Sequence, residues 1–362
     1  MSSQVLISRS ALLHNLRAYR RAIGDTKVMS IVKSNAYGHG IAQVASVIEK
    51  ETDWFGVASG NEALELRKAG IKKPILVLSF YSEDEISELI KTKVSLAVYD
   101  LKQAKLISAA AKKLKKIANV HLKADTGTSR LGIFPNEVAG FADKLLRWPN
   151  IKIEGAFSHF AASEENMEFT EKQNHLFNAV IEELEWRGLN PIKHIACTAA
   201  GIVSPTSHHD MVRLGIGLYG LWPSPLAQKK AKFELKPVLS WQTHIIQVKQ
   251  LSKGTFIGYD LTYQTKRATK LAVLPVGYYD GYDRKLSNTG EVLINGKKCK
   301  VLGRVCMNLL MADATDVKNV KAGDKVMLVC DEIPVDELAK KIGTNDYEVV
   351  ARINPLIPRI LK

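Results

Sequence analysis

Residues 28–58 read VMSIVKSNAYGHGIAQVASVIEKETDWFGVA, and the reading of this stretch decides the architecture. Val28–Val32 is an apolar run of strand length. Residues 40–50 then carry apolar side chains at helical spacing, and residues 54–58 form a second apolar run. Strand, helix and strand within about thirty residues make one βαβ unit, which implies a parallel pair. The unit delivers Lys33 to the end of its first strand. Lysine is the side chain that forms Schiff bases, because a partly desolvated ammonium can lose its proton near neutral pH. Tyr37, Gly38 and Gly40 follow, in a stretch suited to closing around an anion.

Outward from this stretch the alternation continues. Apolar runs recur at 75–78, 94–98, 120–122, 153–157, 194–196 and 211–214, with helical patterns at 61–69, 83–91, 101–116, 136–147, 168–187 and 199–204. With the first two runs this gives eight strands, and eight parallel βαβ units predict an α/β fold of the closed (β/α)8 TIM-barrel type. A doubly wound sheet is the alternative, but no Gly-x-Gly-x-x-Gly follows the first strand. A strand at 4–7 and a capped helix at 8–22 precede the alternation.

From about residue 231 the pattern becomes mostly β. Strands are predicted at 238–248, 270–276, 291–294, 299–305 and 325–329, with one helix at 335–342. Asn295-Gly296 between two of these runs is a hairpin signal. The expected division is a barrel over residues 8–230 and a β-rich C-terminal domain over 231–362, joined by the opening strand 1–7. The boundary is placed in 222–233, where Pro223, Pro225 and a charge run interrupt the pattern.

Bulk properties narrow the function. The chain is 46% hydrophobic and 24% charged, which excludes disorder. A net charge of +14 admits a nucleic-acid face. The lysines are scattered, though, the densest run (112–116) lies on an amphipathic helix, and no nucleic-acid motif accompanies it. The charge therefore reads as a Lys-rich surface, compatible with small anionic ligands and with no nucleic-acid partner. Cys197, Cys299, Cys306 and Cys330 show no CxxC pair and read as reduced thiols, with no metal site expected. No signal core and no membrane-length apolar run is visible, so a cytoplasmic protein without a membrane partner is expected.

In such a barrel, chemistry gathers beyond the C-terminal strand ends. Lys33 follows the first strand; Lys123, Asp125 and Arg130 follow the fifth; Ser158 and His159 follow the sixth. Cys197-Thr198 follows the seventh, and Arg213, Gly215 and Ile216 follow the eighth. Each has an ordinary structural reading alone, but their convergence on one rim points to a site.

These motifs resemble those of the alanine racemases. The resemblance rests on Val32-Lys-Ser-Asn-Ala-Tyr-Gly-His-Gly, His121-Leu-Lys-Ala-Asp-Thr-Gly, Ser158-His-Phe, Val212-Arg-Leu-Gly-Ile, Leu274-Pro-Val-Gly-Tyr-Tyr-Asp-Gly-Tyr and Gly303-Arg-Val-Cys-Met-Asn, in the family's order across nearly the whole chain. It implies a pyridoxal-phosphate enzyme that interconverts L- and D-alanine and supplies D-alanine for peptidoglycan. Lys33 would hold the cofactor as a Schiff base and act as one base. Tyr278 would be the other base, on the opposite face. His159 and Arg213 would favour its phenolate, with Arg213 also bonding the pyridine nitrogen. Tyr37, Thr198, Gly215 and Ile216 would hold the phosphate. Arg130, Met307 and Asn308 would bind substrate carboxylate, with Arg130 also near the cofactor's phenolic oxygen. Lys123 corresponds to a lysine carbamylated in many members. The resemblance also implies a homodimer in which Tyr278 and Met307 complete the partner's site.

Three positions depart from the family pattern: Asn308 where Asp is frequent, Cys197-Thr198 where Asn-Ser is frequent, and Pro355 near the place of a phosphate-binding Tyr. The alternatives are a racemase of broader or different specificity, a non-enzymatic pyridoxal-phosphate carrier, and a fold-related decarboxylase. The β-rich domain with Tyr278 argues against a carrier, which needs no second base.

Overall fold

The computed structural model describes residues 3–362. Met1 and Ser2, placed by the sequence reading in the opening strand, lie outside them. The chain forms two compact units: Ser10–Ala36 with Val44–Lys236, and the residues up to Arg9 with Tyr37–Gln43 and Pro237–Lys362.

The opening strand is β1 (Ser3–Ile7). The first unit is built on eight parallel strands: β2 (Lys27–Ile31), β3 (Trp54–Ser59), β4 (Ile75–Phe80), β5 (Ser95–Val98), β6 (Ala118–Lys123), β7 (Ile151–Phe157), β8 (Ile192–His194) and β9 (Met211–Leu214). Their order is β8-β7-β6-β5-β4-β3-β2-β9. β8 and β9 meet through two backbone hydrogen bonds, Asp210 N to Lys193 O (3.1 Å) and Arg213 N to Ala196 O (3.0 Å). The (β/α)8 barrel is thus observed, nearly closed. Its helices carry one apolar stripe each, as a helix covering a barrel requires. Helix α1 (Arg9–Ile23) buries Leu12, Leu16, Tyr19 and Ile23 at alternating steps of four and three. The basic run ends on an exposed helix terminus, where Lys112, Lys113, Lys115 and Lys116 all face solvent.

The interior of the barrel is polar as well as apolar. His121, His194 and Arg213 are buried there with Phe157 and Trp54. The His194 ring stacks on Phe157 with centroids 5.0 Å apart, and His121 meets Trp54 edge-on at 5.4 Å. Gly155 makes this possible: a Cβ on it would stand 2.3 Å from His121 Nδ1.

The second unit contains a six-stranded and a three-stranded sheet. β10 (Leu239–His244) pairs antiparallel with β1. β11 (Gln247–Leu251) pairs with β12 (Thr269–Leu274) in the other sheet. The apolar run 238–248, expected as one strand, is therefore divided. Ile245 N instead donates to Asp324 O and Ile246 N to Val273 O as the chain passes between sheets. β13 (Glu291–Ile294) and β14 (Lys297–Lys300) are the expected hairpin, with Asn295 and Gly296 both at positive φ. β14 stops at Lys300, earlier than the apolar pattern suggested. β15 (Leu310–Asp313), β16 (Lys325–Val329) and β17 (Arg359–Leu361) complete the sheets. Among the described residues no helix is long and apolar enough to cross a membrane.

Candidate active site

The residue that organises the barrel rim is Arg213, on β9 and 5% exposed. Its terminal nitrogens donate to five acceptors. Nη1 reaches His194 Nδ1 and His194 O, both at 2.9 Å. Nη2 reaches Ser158 O (2.7 Å), Ile195 O (2.7 Å) and His159 Nδ1 (3.0 Å). None of these acceptors is a carboxylate. Nε–H has no hydrogen-bond partner among the described residues and is the guanidinium's remaining donor. Burial brings the Arg213 pKa down to about 10, which still leaves it cationic at neutral pH.

Around it stand other cations. Lys123, at the end of β6, is buried with its Nζ 4.5 Å from the Phe157 ring centre. Burial first, then Arg213 and Arg130, pushes its pKa down to about 7. Lys33 lies beyond β2, and burial with Arg130 and Arg213 lowers its pKa while Glu62 opposes the shift. Burial and the same cations hold His159 well below the ordinary histidine range, so its ring is neutral. Because Arg213 can only donate, His159 Nδ1 accepts and the ring proton sits on Nε2. Asp125, an acid in this neighbourhood, accepts from the backbone N–H groups of Gly127, Thr128, Ser129 and Arg130. Desolvation opposes its ionisation, but those four donors outweigh it and the Asp125 pKa is lowered. The loop that carries Arg130 is thereby wound around Asp125.

Lys33 is held by an unusual backbone. Ser34, Asn35, Ala36 and Tyr37 have φ of 56°, 53°, 52° and 53°, a left-handed turn without glycine. Ala36 N donates to Val32 O at 2.9 Å, and Ser34 N donates to the Glu62 carboxylate. Such a turn costs about 1–2 kcal/mol per residue, and strain of this kind is characteristic of functional sites. Glu62 also accepts from Ala58 N (2.8 Å) and Ser59 N (3.2 Å), which fixes it at the start of helix α2 (Gly60–Lys68).

The expected phosphate turn brings two of its assigned residues together: Gly215 N–H donates to Thr198 Oγ1 at 2.9 Å. The reason is local: Thr198 begins the short helix Thr198–Val203, and its hydroxyl lies beside the turn after β9. Ile216 opens the following 3-10 turn. Cys197 places its Sγ 3.5 Å from Ser163 Oγ, while Tyr19 Oη donates to Thr198 O at 2.9 Å.

In the second unit, Tyr278 and Met307 come from two adjacent loops. Tyr278 N donates to Cys306 O and Tyr279 N to Met307 O, both at 3.0 Å. Tyr278, Met307 and Asn308 are exposed there, beside exposed Tyr279 and Leu309. Tyr37 is buried, its ring 6.0 Å from that of Tyr347, and its carbonyl meets His39 Nδ1 at 2.8 Å. Pro355 lies in the loop between the helix Asp346–Ala351 and β17. Sequence reasoning gave no role to Glu62, to the buried His194 and His121, or to the partly buried Glu154. One available signal was a glutamate inside the apolar run 153–157.

Comparison with known proteins gives one result. Residues 7–223 match the family model "Alanine racemase, N-terminal domain", and residues 238–361 match "Alanine racemase, C-terminal domain". The chain is 40% identical to an alanine racemase of Methanococcus maripaludis, over 98% of this chain and 97% of that protein. It is 39% identical to alanine racemase 1 of Caldanaerobacter subterraneus subsp. tengcongensis, over 99% and 94%. Among solved structures it is similar to alanine racemase of Clostridium difficile 630 (TM-score 0.96, 34% identity, 100% of this chain and 96% of that one). It is also similar to the Bacillus anthracis alanine racemase solved with bound L-Ala-P (TM-score 0.89, 33% identity, 98% and 93%).

Proposed function

The chain belongs to the alanine racemase family, and from that premise we propose that it interconverts L- and D-alanine with pyridoxal phosphate and two bases, Lys33 and Tyr278. The observation that carries the reading is the pairing of a lysine of lowered pKa with a buried arginine that keeps one N–H unused. The residues fit pyridoxal phosphate. A cationic rim suits a phosphorylated group, and the Arg213 Nε–H suits an aromatic nitrogen acceptor. Thr198, Gly215, Ile216 and Tyr37 would hold the phosphate, and Lys33 the aldehyde carbon. Bound there, the cofactor supplies an electron-withdrawing ring that stabilises negative charge at the substrate α-carbon.

The chain's own residues then divide the work. Lys33, lowered in basicity by burial and the Arg130 and Arg213 charges, accepts or returns a proton on one face. Tyr278 of the partner subunit does so on the other. A phenol is a poor base at neutral pH unless donors and positive charge favour phenolate, and the Nε2–H of His159, backed by Arg213, offers such a donor. Arg213 stays protonated and donates only, so it leaves a ring nitrogen it binds largely unprotonated. Arg130, Met307 and Asn308 would bind the substrate carboxylate, and Arg130 would also serve the cofactor's phenolic oxygen. Lys123, its pKa pushed down to about 7, has at neutral pH a large fraction of the amine form that adds carbon dioxide. A carbamate there would place an anion beside Arg130.

We place the enzyme in a cytoplasmic homodimer that supplies D-alanine for peptidoglycan. The four free cysteines and the exposed Tyr278, Tyr279, Met307 and Leu309 support this reading. Incubation with L-alanine in deuterium oxide tests it. Exchange at Cα with loss of optical rotation is expected. Carbon dioxide release would indicate a decarboxylase, and a coloured protein with neither exchange nor racemisation would indicate a carrier. Faster turnover of a larger amino acid would favour a broader-specificity racemase.

A further inference from the structure

Two fully buried histidines and a partly buried glutamate beyond Arg213 have no part in the reaction described above. His194 Nε2 lies 3.0 Å from His121 Nδ1, and His121 Nε2 lies 3.4 Å from Glu154 Oε2. Both rings are fully buried. Among the described residues His121 Nε2 makes no hydrogen bond, and the Glu154 carboxylate stands beside it at ion-pair distance. Glu154 is held in turn by Ser95 Oγ and by Asn119 Nδ2 (3.0 Å).

The proton positions along this line follow from one fact: a guanidinium only donates. Arg213 Nη1 faces His194 Nδ1, so that nitrogen must carry the lone pair and Nε2 the proton. His194 Nε2–H then donates to His121, so His121 Nδ1 must also carry a lone pair. The proton of His121 is left on Nε2, on the side of the ring that faces the Glu154 carboxylate at 3.4 Å. Every other arrangement of neutral rings sets donor against donor or lone pair against lone pair in a site without water-exposed alternatives.

We propose that Glu154, His121 and His194 are positioning residues that lock one tautomer along the barrel interior and thereby hold Arg213 in register for His159. Glu154 anchors the far end. A proton misplaced onto His194 Nδ1 would confront Arg213 Nη1–H and displace the guanidinium. The activity arm of this inference rests on the racemase reading; the tautomers do not.

The test uses the enzyme reconstituted with pyridoxal phosphate and labelled with 15N-histidine. His194 and His121 should each show a protonated Nε2 and an unprotonated Nδ1 from about pH 6 to about pH 9. His121→Leu removes the acceptor for His194. It should shift the His194 Nε2 resonance and lower kcat for L-alanine about tenfold, with KM little changed. His121→Asn, whose Oδ1 stands in for Nδ1, should restore both. A proton on His194 Nδ1 would overturn the proposal, as would equal impairment in the Leu and Asn variants, which would indicate packing alone. Should His121→Leu not fold, Glu154→Ala should still shift the His121 Nε2 resonance, and an unchanged resonance would count against the lock. The expected tautomers in a protein that does not racemise alanine would sink the racemase reading and leave the lock standing.

Discussion

Arg213 Nη2 donates to His159 Nδ1 across 3.0 Å, and no carboxylate shares the guanidinium's hydrogen bonds. The two groups therefore set each other's state: Arg213 can hold its charge only among acceptors, and His159 beside it must stay neutral. Arg213→Glu reverses the nearest charge and removes every N–H from five acceptors. The His159 pKa should rise, read by NMR titration. Stability should fall by at least about 3 kcal/mol, read by denaturant unfolding. An unmoved His159 titration would show that burial alone governs the ring.

Lys123 gives a pH dependence with a definite sign. Its folded pKa is about 7, well below the ordinary lysine value. Between that pH and the ordinary lysine pKa the unfolded chain binds the extra proton, so stability rises with pH. The single-group slope is at most about 1.4 kcal/mol per pH unit. Below about pH 7 both states are protonated and the burial penalty is present in full. Lys123→Met should raise Tm at neutral pH and flatten the rise, measured in carbon-dioxide-free buffer. A slope identical to the parent's would refute the assignment.

Ser34 is exposed and sits at φ 56°. Ser34→Gly removes the side chain that makes this conformation costly and should stabilise the fold by about 0.5–1 kcal/mol. Ser34→Val adds a β-branched side chain to the same backbone and should destabilise it by about 1–2 kcal/mol. Thermal melts of the pair give the comparison, and Tm values in the reverse order would contradict the left-handed turn.

Gly155→Ala puts a methyl 2.3 Å from His121 Nδ1. Overpacking of this kind costs about 1–3 kcal/mol. The expected result is a lower denaturation midpoint with an unchanged m-value. A neutral substitution would mean that the His121 ring has room to move.

Sites shared between subunits can be tested by mixing. Lys33→Ala and Tyr278→Ala should each be inactive. Unfolded together and refolded, they should recover about a quarter of parental activity, since half of the dimers are mixed and each holds one intact site. No recovery would place both bases on one chain.

The parallel barrel was legible because its strands are apolar runs of similar length separated by helical stripes, and Met211–Leu214 coincides with the observed strand to the residue. The β-rich unit was read less well. Ile245 and Ile246 continue an apolar pattern while the backbone changes sheets, so no composition signal marks the break. Leu310–Asp313 and Arg359–Leu361 are too short to stand out, and they become strands through their partners β12 and β1. The cations of the rim were found because each follows a strand end. The left-handed turn was not, since Ser, Asn, Ala and Tyr carry no glycine signature. Its Ser34 N–H meets Glu62, which is distant in sequence. Nor could spacing show that the Gly215 N–H donates to Thr198.

The Glu62 contact to Ser34 N spans 28 residues of chain. A backbone hand that L-residues disfavour is costly by itself, and here part of its support comes from a carboxylate carried by the next strand–helix unit. In native-state hydrogen exchange, the amide of Ser34 should then share its opening free energy with the first turn of the helix that bears Glu62. Fraying at that distant helix end would withdraw the carboxylate shared by the turn after Lys33 and the end of β3.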